Sequence, residues 1–163
     1  MARGDALPDQ DEVTRWIKPK LLGRDDNGNV VLDNQGRPKF VFPAAFELRE
    51  DEDSLSVTWL QHFGNGRVQH LPKAAEAFRK STNSGKLQAH SAFAIAGVAS
   101  IKETGASHDS KLRILEDPID GNPGHTEIRR YPREMSELQV VLAAETFAER
   151  HLYEKVKTPG WAP

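Results

Sequence analysis

Apolar and small polar residues alternate along Ser54-Leu55-Ser56-Val57-Thr58-Trp59-Leu60, which predicts a strand presenting Leu55, Val57 and Trp59 on one face. The period changes near the carboxy terminus. From Arg133 or Ser136 to about Glu154, Leu138, Val141, Ala144, Ala148 and Leu152 recur at roughly 100° per residue and predict a long helix. Ser136 and Gln139 suit a capping box at its later start. A shorter helix is expected over Asp11 to Ile17, with Val13, Trp16 and Ile17 on one face, Asp11 as N-cap and Pro19 as the stop. Another is expected from about Pro72 to Lys80, ended by Thr82-Asn83-Ser84-Gly85.

Ala89 to Ile101 reads as a central strand, with Phe93, Ile95 and Ile101 on one parity; its Ala content leaves a helix open as the alternative. Lys111 to Glu116, with Leu112 and Ile114 inward, and Glu127-Ile128-Arg129 read as further extended pieces. Between 24 and 43, Asn27-Gly28 and the Asp33 to Gly36 stretch supply turn residues for a projecting β-hairpin. Residues 1–10 read as a flexible arm and 158–163 as a tail. These elements predict one α+β domain over 1–163: a mostly antiparallel sheet with the long C-terminal helix packed on one face.

Composition narrows the functional classes. At 163 residues the chain has the size of one domain with its own core. The absence of Cys excludes disulfides, thiolate zinc sites and a cysteine nucleophile. A net charge of −2 supplies no general cationic field, so nucleic acid is not expected as the main partner. No apolar run approaches the roughly 20 residues of a membrane span, and Met1-Ala2-Arg3-Gly4-Asp5 does not resemble a secretory leader; no membrane partner and a cytoplasmic location are expected. No GxSxG, SxxK, Walker loop or HExxH occurs, so no metal or cofactor is expected from motifs.

The densest chemistry lies in Asp117-Pro118-Ile119-Asp120-Gly121-Asn122-Pro123-Gly124-His125, two carboxylates, an amide and an imidazole in one punctuated loop. Six histidines occur, and His90, His108 and His125 fall at the ends of successive expected strands. Two of them at one sheet edge would supply acid and base for a phosphodiester or ribose, with Lys111, Arg113, Arg129 or Arg130 holding the phosphate. In a metal-dependent form Asp117, Asp120 and His125 would be the ligands. Glu145, inside the apolar stripe of the last helix, is a further acid or base candidate. The Asp25 to Asn29 run lacks the alternating ligands of a calcium loop.

The leading expectation is a protein-binding or accessory module with a protein partner, and the His/Asp enzyme is the alternative. The module's candidate contacts are Phe40 and Phe42 on the hairpin and Trp161 in the tail, while Arg129 and Arg130 beside Tyr131, and Trp16 with Lys18, form small binding patches suited to stacking on and neutralising single-stranded nucleic acid. The acidic run Glu50 to Asp53 reads as a solvated turn unless a basic partner meets it.

Overall fold

A computed structural model describes residues 4–31, 34, 39–64, 67–81, 92–133 and 147–148. Strands β1 (Glu12–Ile17), β2 (Leu55–Trp59), β3 (Ala92–Gly97), β4 (Arg113–Glu116), β5 (His125–Arg129) and β6 (Phe147–Ala148) form one antiparallel sheet in the order β4-β5-β2-β1-β3-β6. Helices α1 (Arg67–Ser81) and α2 (Val98–Ser107) complete the α+β architecture.

The expected helix over Asp11 to Ile17 is instead β1, which pairs with β3 in six registers from Glu12↔Gly97 to Ile17↔Ala92. Val13, Thr14 and Ile17 are β-branched and lose rotamer freedom in a helix. At the centre of the sheet Val13 and Ile17 are buried on one side and Thr14 on the other. Tertiary pairing therefore outweighs a helical spacing carried by only three apolar residues. The expected long C-terminal helix is not seen among the described residues either. Phe147 and Ala148 are extended and pair with Ile95 and Ala94, completing the outer edge of β3. That edge offers backbone donors and acceptors which a helix there would leave unmet. The rest of 134–163, with Glu145 and Trp161, lies outside the described residues, as do His90 and the 82–85 helix stop.

Directly paired residues share a face of the sheet. One face carries Val13, Ile17, Leu55, Val57, Ala94, Ile114 and Ile128, and is covered by Val98 and Ile101 of α2, Ala45, Phe46, Leu7, Leu112 and Tyr131. The other carries Phe93, Ile95 and the partly buried Trp16, and is covered by Leu71, Ala74, Ala75 and Phe78 of α1 with Leu60 and Phe63. The Ala89 to Ile101 strand stops at Gly97, where the chain turns into α2, so Ile101 packs from a helix. Helix α1 begins before the expected start, and Pro72 lies within it.

Residues 4–7 run along β4: Gly4 N donates to Glu116 O, Glu116 N to Asp5 O and Leu7 N to Ile114 O, with Leu7 buried. The 24–43 segment is bridged at Leu22↔Val41 and Arg24↔Val30, and Val30 and Val41 pack against the main core. In its first turn the Asp25 carboxylate accepts the backbone N–H groups of Asn27 and Asn29, a capping role that occupies one of its oxygens.

Candidate functional site

The centre of the sheet is forked. β1 pairs with β3 along its whole length but with β2 only at Val13↔Trp59 and Thr14↔Thr58. Beyond Thr14 the two strands part, and the Arg15 side chain spans the opening. Its Nη1 donates to Ser56 O at 2.6 Å and its Nε to Ala45 O at 2.7 Å, supplying to β2 a donor that the ladder no longer provides. Burial pushes the guanidinium below its ordinary pKa, with the Glu52 carboxylate pulling the other way. A guanidinium so shifted still carries its charge at neutral pH.

A cavity of about 320 Å³ occupies this fork. Arg15, Lys18 and His125 bring cationic or protonatable groups to its wall, and Trp16, Phe78, Phe93 and Ile119 give it an apolar side. Thr14, Thr58 and His125 form one row across β1, β2 and β5, because Thr14 pairs with Thr58 and Thr58 with His125. Trp16 leans on Phe78 at a centroid distance of 5.5 Å, and its buried Nε1–H has no acceptor among the described residues. An unmet buried donor costs about 1–3 kcal/mol.

The loop Asp117 to His125 does bring two of its candidates together. His125 Nδ1 lies 2.8 Å from Asp117 O and 3.3 Å from Asp117 Oδ2. A carbonyl can only accept, so this contact assigns the proton to Nδ1 and leaves Nε2 as the basic nitrogen. Asp117 is buried and Asp120 is exposed at the turn. The described residues contain no group of three His, Cys, Asp or Glu suited to a metal ion, so Asp120 does not complete a ligand set with the other two.

Asn122 holds the loop in shape. It is buried, donates from Nδ2 to Thr58 Oγ1 at 3.0 Å and accepts the Gly124 N–H at 3.1 Å. Gly124 cannot carry a side chain without displacing Phe63, whose Cε2 would lie 2.6 Å from an added Cβ. Asn122→Ala removes both bonds and strands a buried N–H. It is expected to lower stability by about 2 kcal/mol in urea denaturation, and a loss under about 0.5 kcal/mol would contradict this role.

The other candidates lie apart from the cavity. His108 terminates α2 rather than a strand, with Nδ1 3.1 Å from Thr104 O. Arg129 pairs with Glu127 at 3.1 Å, and Arg130, also exposed, adopts a φ of 60°. Tyr131 is buried in the main core, where desolvation pushes its phenol upward, so it does not form a stacking surface with the two arginines. Phe40 and Phe42 are 52% and 46% exposed. Trp16 and Lys18, read from the sequence as a small aromatic and basic patch, do line the cavity, whereas Arg15 and Thr58 were not legible as site residues. The available signal was a charged residue in the middle of Val13-Thr14-Arg15-Trp16-Ile17, which a buried strand accepts only with partners for the charge.

Beside the cavity the Glu50 to Asp53 run is partly structural. Glu52 accepts the Arg49 N–H at 2.8 Å and pairs with Arg49 Nε at 3.2 Å, while Arg133 donates to the backbone carbonyls of Arg49 and Glu52. Burial alone would raise the Glu52 carboxyl, but the Arg49 hydrogen bonds and the charges of Arg49 and Arg15 outweigh it and hold the group below its ordinary value. Its stabilisation is therefore present at neutral pH and lost as pH falls through the folded-state value. Glu52→Gln is expected to be less stable than wild type at pH 7 and to converge with it in acid, once pH falls below the lowered folded-state value, in denaturant titrations. A gap that persists unchanged in acid would refute the assignment.

No protein-family model, curated protein or solved structure matches the chain. Among the described residues no helix is long and apolar enough to cross a membrane.

Proposed function

We propose that this chain is a protein-interaction domain acting as an accessory module in a cytoplasmic complex, with Phe40 and Phe42 at the contact. The observation that carries this reading is a pair of half-exposed phenylalanines on a segment anchored from within. Val41 between them packs against the core, and Ala45 and Phe46 just beyond are buried. Phe42 N donates to Leu21 O at 2.8 Å and Gly23 N to Phe40 O at 2.9 Å. The two rings are thus held at fixed points on the surface, which lowers the ordering entropy of binding. Lys39 lies 5.5 Å from the Phe40 ring and adds a cation at the rim.

The test is co-purification of tagged wild-type, Phe42→Asp and His125→Ala proteins from their own cells, followed by titration of the recovered partner. Phe42→Asp is expected to weaken the complex at least about tenfold, roughly 1.4 kcal/mol, with an unchanged circular dichroism spectrum. His125→Ala should bind as wild type. A partner retained by Phe42→Asp at wild-type affinity sinks the reading.

The oriented His125 favours a second reading, an enzyme acting on a phosphodiester or ribose. The contact from Nδ1–H to Asp117 O orients the ring and leaves Nε2 as the nitrogen that would serve as a general base. In that case wild type and Phe42→Asp would turn over such a substrate, and His125→Ala would not.

A further inference from the structure

We infer that the fork between β1 and β2 is a binding site for a small organic anion, a carboxylate or phosphate carried on an apolar body. This inference is independent of the contact at Phe40 and Phe42. An intact sheet would close the fork with ladder hydrogen bonds; here it encloses about 320 Å³, within the size range of small-molecule sites.

Its donors point to the sign of the ligand. Arg15 is fixed through Nε and Nη1, and Nη2 is the nitrogen those bonds do not use. Lys18 is exposed at the wall and makes no ion pair among the described residues. Arg49, also in the lining, is already paired with Glu52, and Glu47 is the one carboxylate among the described lining residues. Thr58 accepts from Asn122 through Oγ1 and retains its own O–H to donate. A chain of net charge −2 thus concentrates uncommitted donors in one cleft, where low-dielectric walls strengthen their attraction for an anion.

The opposite wall defines the rest of the ligand. Trp16, Phe78, Phe93 and Ile119 offer ring and aliphatic surface, so an aromatic or branched apolar group fits beside the charged head. Trp16 also has a buried Nε1–H lacking an acceptor among the described residues. A small turn of the indole toward a ligand oxygen would satisfy it, and this makes Trp16 fluorescence a reporter of occupancy.

The experiment titrates the full-length protein with phenylacetate, phenyl phosphate and the neutral 2-phenylethanol, read by tryptophan fluorescence and calorimetry. Saturable binding of either anion, with the alcohol at least about tenfold weaker, is expected. The anion preferred identifies the head group as carboxylate or phosphate. Lys18→Glu, on an exposed residue, should weaken the anion at least about tenfold, whereas Arg129→Glu, outside the cavity, should leave it unchanged. No saturation up to about 10 mM for either anion, equal binding of the alcohol, or equal weakening by both variants would overturn the proposal.

Discussion

Phe93→Ala is expected to lower the unfolding free energy by about 4 kcal/mol, the middle of the range for deleting a buried aromatic ring. Phe93 is almost fully buried in the middle strand between β1 and β6 and contributes the ring against which α1 packs. It meets Phe78 edge to face, with centroids 6.3 Å apart and planes at 88°, a geometry that adds to the area term. Its backbone is held by β1, so collapse cannot fill the space. Because Phe93 also lines the fork, the same substitution enlarges the cavity at its apolar side. Urea denaturation at pH 7 measures the loss, and Phe93→Leu should recover most of it. A loss below about 1.5 kcal/mol would mean that α1 does not depend on this ring.

Arg15→Ala is expected to be nearly as damaging, about 3 kcal/mol. Two charge-assisted hydrogen bonds to the carbonyls of Ala45 and Ser56 disappear, and each bond to a charged group is worth about 1.5–3 kcal/mol. Relief of a desolvated guanidinium offsets part of that, which keeps the total below the simple sum. Arg15→Lys should recover little, because one ammonium cannot reach two carbonyls with the geometry of a planar fork. Wild-type stability in Arg15→Ala would show that the parted strands need no strut. The variant should also lose anion binding, but Lys18→Glu separates that effect from folding.

The strand at Leu55–Trp59 was readable because alternation places Leu55 and Val57 on one face, and both do enter the main core. Leu112 and Ile114 were likewise inward as expected. The strand at Glu12–Ile17 was not, since Val13, Trp16 and Ile17 satisfy a helical face and a strand equally well over so short a window. Phe147–Ala148 shows the same limit: a helical stripe gives way where an open strand edge requires a partner.

The candidate site divides in the same way. The loop from Asp117 to His125 was legible because Pro, Gly, Asn and Asp act through local turn chemistry, and that chemistry set Asn122 and Gly124 in place. The fork was not, since its two strands are far apart in the chain and their parting beyond Thr14 is a property of their pairing. By itself the sequence determined the absence of thiol chemistry, the lack of a net cationic field and the turn-rich loop, all of which depend on composition or near neighbours. Only the tertiary structure decided that Arg15 bridges the sheet, that His125 shares a cavity with Trp16 and Lys18, and that Phe40 and Phe42 face outward. Each of those depends on register and burial between distant segments, where long-range packing outweighs local preference.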